Sequence, residues 1–297
     1  MRLLPKRKSG ATMTIVPDRP LLPTESLTAT VTLDEQLDDV TEARIEIGYL
    51  NTYKYEWAAA SGGGLVSGPY SGPGGYKDAT DFVHVIDEPL VFAGGTLMAG
   101  TYSATLRLPS WSPGSSSAVA WVARLKIDRK GKDPDAEATF AVLSPAPDPL
   151  PTKTRFVEHE SALASSVDFA ITLDALAYRA GGVVKGTISA TPGEPVTKSA
   201  KADVRFLRHQ ISHPLERRPS PRIEWFSRPH VTVAENLALQ QGVTTDIPFE
   251  LTLPADADPT TEAVHNSLEW WVVATVTYAG MTGAIEKARR EIVVYNG

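Results

Sequence analysis

The residues best suited to chemistry lie in one stretch, RFLRHQISHPLERRPSPRIEWFSRPH (205–230). It carries six arginines and three histidines against two glutamates, in a chain whose net charge is −6. A guanidinium presents its N–H donors as a planar fork that matches carboxylates, phosphates and anionic lipid headgroups. Prolines at 214, 219, 221 and 229 argue against a helix and for an extended surface loop. Six guanidiniums are also too many to bury unpaired. Arg208, Arg217, Arg218, Arg222 and Arg228 are therefore expected to contact an acidic partner. The competing reading is a solvated loop whose arginines pair with Glu216 and Glu224, since exposed pairs stabilise by only about 0–1 kcal/mol. The basic start MRLLPKRK (Arg2, Lys6, Arg7, Lys8) adds to the same field unless it is a frayed tail.

Other constellations offer less. His209 and His213 stand four apart, a spacing that aligns metal ligands on a helix but leaves them unspecified on a strand or loop. No clustered carboxylates accompany them, so no metal site is expected. The stretch SGGGLVSGPYSGPGGYKDAT (61–80) lacks the Gly-Lys-Ser/Thr of a phosphate loop and reads as a long loop between strands. PSWSPGSSSA (109–118) has serines but no nucleophile elbow, and reads as a turn. Asp38-Asp39 and the pair Asp133, Asp135 lie in turn-rich, solvated stretches that prepare no general acid. No catalytic, cofactor or metal residue emerges. In YLNTYKYEW, Tyr49, Tyr53, Tyr55 and Trp57 share a strand face next to Asn51. Such a row could stack on sugars, the basis of an alternative reading as a sugar- or small-ligand-binding protein. Its parity with Ile45 and Ile47 favours core packing.

Composition narrows the classes. A chain of 297 residues suggests two domains of about 150 residues each. With no cysteine there is no disulfide, thiolate metal site or thiol nucleophile, which fits a reducing compartment. The N-terminal residues lack the apolar region of a secretory signal, and no window approaches the ~18 apolar residues of a membrane span. A cytoplasmic protein is expected. The mild negative charge argues against nucleic acid as a partner. Peripheral contact of the arginines with an anionic membrane stays compatible, as do monomer and dimer.

The elements that must position these residues are strands. With Asp18 aligned on Asp174, Met13 and Ile15 match Phe169, Ile171 and Leu173, each alternating with polar residues. After a spacer, Leu27, Ala29, Val31 and Leu33 match Val184, Gly186, Ile188 and Ala190. Ala43, Ile45, Ile47 and Tyr49 then match Ala202, Val204 and Phe206. Tyr102, Ala104, Leu106 and Leu108 before Pro109 match Ile247, Phe249, Leu251 and Leu253 before Pro254. A Trp-led strand follows in each half, from Trp121 and from Trp270, then a short closing strand, ATFAVL or REIVVY. Five matched segments in one order indicate internal duplication. Between the halves, LSPAPDPLPTKT (143–154) holds four prolines from Pro145 to Pro151 and reads as a semi-rigid linker. The expected organisation is an all-β chain with two tandem antiparallel, immunoglobulin-like β-sandwiches, 1–146 and 155–297, joined by a linker at 147–154. Short helices are placed at 159–166 and 234–241.

This order of segments resembles the arrestin-like fold, above all its bacterial sporulation-control members and more distantly the retromer proteins of the Vps26 type. The resemblance spans about residues 11–295 and rests on Gly100, Tyr102, Leu108-Pro109, Asp174, Tyr178, Gly186 and Leu253-Pro254. The first half departs where that family prefers Tyr-x-Pro-Gly, reading Leu22-Pro23-Thr24-Glu25. The resemblance implies a non-catalytic adaptor or scaffold that binds other proteins and uses no cofactor.

Overall fold

Strict alternation lets a strand bury one face and wet the other. The computed structural model, which describes residues 10–57, 75–159, 167–227, 230–279 and 285–297, spends that alternation on two all-β units. Among the described residues there is no helix, and so none long and apolar enough to cross a membrane. One unit draws on Met1–Ser144, His213–Pro219 and Ala263–Asn266; the other on Pro145–Ser212, Ser220–Glu262 and Ser267–Gly297.

The first unit contains β1 (Ala11–Val16), β2 (Ser26–Leu33), β3 (Val40–Trp57), β4 (Gly75–Pro89), β5 (Gly100–Arg107), β6 (Val119–Arg129) and β7 (Glu137–Phe140). They form an antiparallel sheet in the order β1-β2-β5 and another in the order β4-β3-β6-β7. Leu27, Ala29 and Val31 of the first sheet meet Ile45, Ile47, Tyr49, Trp121 and Ala123 of the second in one core. Trp121 stacks on Tyr49 at 5.3 Å, and its indole N–H donates to Pro113 O at 2.8 Å. The serine-rich loop 109–118 thus carries the acceptor that lets a tryptophan lie fully buried. Ser115 Oγ of the same loop accepts from Val142 N at 2.9 Å.

The second unit contains β8 (Phe156–His159), β9 (Val167–Leu173), β10 (Ala177–Arg179), β11 (Val183–Pro192), β12 (Ala200–Ser212), β13 (Ile223–Phe226), β14 (Val231–Leu237), β15 (Thr245–Thr252), β16 (Thr261–Glu262), β17 (Asn266–Tyr278) and β18 (Ile285–Tyr295). One sheet runs β15-β11-β9. The larger runs β10-β18-β17-β12-β13, with β14 on β12, β16 on β17 and β8 on β18. Ile171, Val184, Ile188, Val204, Phe206, Trp270 and Val272 fill the core between them.

Strand order is the same in both units. β1, β2 and β5 correspond to β9, β11 and β15, and β3, β6 and β7 to β12, β17 and β18. The spacer after each aligned Asp also behaves alike. Leu21 bridges Val142 in parallel, and Tyr178 pairs with Val294 in parallel. A turn follows, closed by Glu25 N–H to Leu22 O at 3.1 Å and by Gly182 N–H to Arg179 O at 2.8 Å. Its positive-φ position is Gly181 (φ 77°) in one unit and Thr24 (φ 74°) in the other. A threonine there carries a steric cost that glycine avoids. Glu25 secures the turn by accepting from Leu22 N at 2.8 Å and pairing with Arg19 at 3.0 Å.

Three expectations need correction. Residues 234–241 are not helical: β14 pairs with β12 through residue 237, with a register shift, and the backbone's need for ladder partners overrides local helix propensity. Residues 205–212 and 223–226 are strands, not loop, because the alternation that starts at Ala200 runs on until the prolines begin at 214. Residues 75–80 belong to β4. The rest of the Gly-rich stretch (61–74), the N-terminal basic residues, Arg228 and residues 160–166 of the other proposed helix lie outside the described residues.

Gly186 on β11 has no room for a side chain. A Cβ there would press on Thr172 O and stand 2.9 Å from both Leu173 Cδ2 and Phe249 Cζ. Gly186→Val is expected to lower stability by about 1–3 kcal/mol, seen as a lower denaturant midpoint with an unchanged slope. An unchanged midpoint would show that β9 and β15 do not close on this glycine.

Candidate functional site

A sheet in a sandwich has an inner face against its partner sheet and an outer face that ordinarily meets water. On β12 the inner face is Ala202, Val204 and Phe206, which leaves Arg205, Leu207 and His209 on the outer one. On β17 the inner residues are Trp270, Val272 and Ala274, which puts Glu269, Trp271 and Val273 outside. Register completes the outer face: Phe226 stands opposite Leu207 and Glu224 opposite His209, while Arg289 pairs with both Val273 and Val157.

This outer face is dry at its centre. Leu207, Trp271 and Val273 form a second apolar cluster, with Val157 and Phe226 packed on it. Trp271 is 2 % exposed and His209 0 %. Cations cover them. The Arg155 and Arg289 guanidiniums lie over the Trp271 ring at 4.9 and 4.8 Å, and Arg205 and Lys287 over Phe226 at 3.9 and 5.4 Å. Such stacking contributes from about 0.5 kcal/mol when exposed to about 2 kcal/mol when desolvated. The long stems exclude water while the heads stay charged.

Carboxylates fix part of this roof. Arg155 grips Glu291 with two N–H bonds, 2.9 and 2.6 Å, and reaches Glu269 at 2.7 Å. His209 is bracketed by Glu224 (3.2 Å), Glu269 (3.8 Å) and Arg222 Nη1 (3.3 Å). The His209 imidazole and the Arg155 guanidinium hold the Glu269 carboxyl down at about 2, against the opposing push of burial. Elsewhere on the face the cations crowd one another. Burial pushes the Lys287 ammonium down, and neighbouring Arg205 and Arg289 add to it against Glu224. Burial, then Arg222, does the same to Arg289.

Of the five arginines expected from sequence to meet a partner, Arg228 lies outside the described residues and the other four are placed in different settings. Arg208 is buried, paired with Asp258 and stacked on Trp225 at 3.3 Å. Arg222 is exposed on the approach to β13, beside His209. Arg217 and Arg218 belong to the first unit, where both are exposed. There Arg217 stacks on Tyr55 at 4.5 Å, and Arg218 pairs with Glu56 at 2.8 Å. Sequence reasoning missed Arg155, Lys287 and Arg289, which come to the roof from strands far along the chain. The run WWVV (270–273) carried the signal, because adjacent apolar residues on a strand mark both faces as buried.

The remaining candidates lie in varied settings, and of the aromatic row Trp57 is exposed. His209 is buried in the second unit and His213 exposed in the first. Among the described residues no group of three or more His, Cys, Asp or Glu side chains converges on a metal position. Of the aromatic row, Tyr49 and Tyr53 are buried, and Trp57 lies under Lys77 at 3.9 Å. The Tyr53 hydroxyl donates to Asp81 at 2.5 Å beside the His265 ring, 4.7 Å away. Burial and Asp81 push that phenol up to about 12, so it is a proton-bearing tether and not a nucleophile. Asn51, fully buried, accepts from His265 N at 2.7 Å and donates to Ala118 O at 3.1 Å.

No family model matches the chain, and no curated protein matches it. Among solved structures it is similar to the crystal structure of Spo0M, a sporulation control protein from Bacillus subtilis. The identity is 21% and the TM-score 0.35, over 45% of this chain and 50% of that one. The match thus spans about half the length of that protein.

Two consequences are measurable. Glu269 is ionised in the fold down to about 2, against an ordinary 4.5. Its stabilisation is therefore complete above pH 4.5 and is lost as pH falls toward 2. The loss is on the order of 3 kcal/mol at most, and less where the 3.8 Å gap to His209 weakens the contact. Glu269→Gln should flatten the acid limb of stability against pH; an unaltered limb would rule this contribution out. Arg208→Met should cost about 3–5 kcal/mol, because it strands Asp258 without its cation. Chemical unfolding that shows less than about 1 kcal/mol would place Asp258 in water instead.

Proposed function

We propose that this chain is a non-catalytic adaptor or scaffold of the cytoplasm. It holds an acidic protein partner on the outer face of the larger sheet in its second unit. The observation that carries this reading is the stacked layer of Arg155, Arg205, Lys287 and Arg289 over Trp271 and Phe226. Arginine and aromatic side chains concentrate at protein interfaces because both bury area while keeping a directional polar contact. Among the described residues, the cations in contact with this face or its His209 (Arg155, Arg205, Arg222, Lys287, Arg289) outnumber the carboxylates that pair with them or with His209 (Glu224, Glu269, Glu291). The face therefore favours an anionic ligand. Arg222 remains a contact residue in this reading, and Arg217 and Arg218 form a separate exposed pair on the first unit.

The first unit supplies a contrast. On its four-stranded sheet Glu46 is 2 % exposed between Arg44 and Arg124, each 2.7 Å away, and Arg44 also pairs with Glu42. Burial pushes the Glu46 carboxyl up, but the two guanidiniums together hold it below its ordinary value. There carboxylates are at hand for both arginines; around Trp271 they are outnumbered.

Fluorescence anisotropy of a labelled 12-residue polyglutamate peptide tests the reading. Binding should weaken steeply with added salt, as exposed charge contacts do. The double variant Arg222→Glu, Lys287→Glu should weaken it at least tenfold. Unchanged affinity in that variant, while Arg217→Glu, Arg218→Glu abolishes binding, would move the site to the first unit. No binding at low salt would end the proposal.

A further inference from the structure

Two buried donors on the roofed face have no acceptor. Trp271 Nε1 and Arg289 Nε are shielded from solvent, and neither has a hydrogen-bond partner among the described residues. Both atoms can only donate. The Arg289 guanidinium lies over the Trp271 ring at 4.8 Å, so the two side chains that carry these donors are neighbours on the face. Leaving a donor buried and unpaired costs roughly 1–3 kcal/mol. The core indole Trp121 avoids this cost through Pro113 O, and Trp270 through Asp258 O, each at 2.8 Å. Trp271 is the exception among these three.

We propose that Trp271 and Arg289 form the seat for a carboxylate carried by an acidic residue of the partner protein. This deepens the adaptor reading and rests on it. A carboxylate accepts only, so it complements two donors for which the described residues supply no acceptor. Part of its cover is a mobile side chain: the Arg155 guanidinium lies on the same ring, and that side chain is 54% exposed. Rotation of such a stem opens the seat without disturbing the ladder between β17 and β18.

The surroundings choose a carboxylate over a phosphoryl group. Inorganic phosphate carries no apolar stem to lie against the floor beside the two donors. A monoanion on an aliphatic stem gains the donors, and its stem packs on Leu207, Val273 and Phe226.

The test uses the full chain with ¹⁵N-labelled tryptophan, whose six indoles give separate N–H resonances. Trp271→Phe identifies the one of interest. Titration with the unlabelled polyglutamate 12-mer should move the Trp271 indole proton downfield, saturating along the anisotropy curve. Arg289→Met, which keeps the stem, should abolish the shift and weaken binding about tenfold. The Trp121 resonance, fixed by Pro113, reports in each variant that the first unit is folded, and the Trp270 resonance reports the same for the second. If the peptide binds by anisotropy while the Trp271 proton stays still, or moves equally in Arg289→Met, the seat is wrong and the adaptor reading stands. If inorganic phosphate at equal concentration moves the proton as far, the seat does not select a partner's carboxylate and the inference fails. If the peptide does not bind, both fall.

Discussion

Trp271 must be kept from water on the sheet face that lies opposite the core of its unit. An indole buries about 150–250 Å², and its neighbours Leu207 and Val273 are equally dry. The second unit meets this demand with charged side chains used as lids. Arg155 and Arg289 lay their guanidinium planes on the ring, while Glu269 and Glu291 hold Arg155 in place. The depressed Lys287 ammonium and Arg289 guanidinium follow from putting charge over an apolar floor, while His209 and Arg155 hold the Glu269 carboxyl low against burial.

Such a lid is stable enough to persist and soft enough to reopen. Backbone ladders set where each stem begins, since β8, β18, β17, β12 and β13 are held in fixed register. Among the described residues the heads are held by stacking and ion pairs, interactions of about a kilocalorie each in partly wet surroundings. Under the proposed function, such a face would offer a partner an apolar floor and cations to pair with. The equivalent sheet of the first unit takes the other course, with Glu46 between two arginines.

Much of the architecture was legible from period-2 alternation alone. The inward rows Leu27-Ala29-Val31 and Ile247-Phe249-Leu251 are buried as their spacing demands, and the aligned Asp18 and Asp174 precede turns with matching hydrogen bonds. Residues 234–241 misled because AENLALQQ has good helix propensity, whereas the edge of β12 needed a strand. The arginine-rich stretch misled in another way. Composition reports charge but not facing, and within β12 Arg205 points out to Phe226 while Arg208 turns toward Asp258. The roof itself joins residue 155 to residues 287 and 289. Only the pairing of β8 with β18 makes them neighbours, and pairing partners are set by tertiary packing.

Hydrogen exchange at the Trp271 indole N–H tests the lid most directly. The account predicts slow exchange in the intact chain, and acceleration of at least tenfold when Arg155 is replaced by alanine, with the Trp121 indole unchanged. Exchange at the rate of a free indole in the intact protein would contradict it, because the guanidiniums would then not be covering the ring.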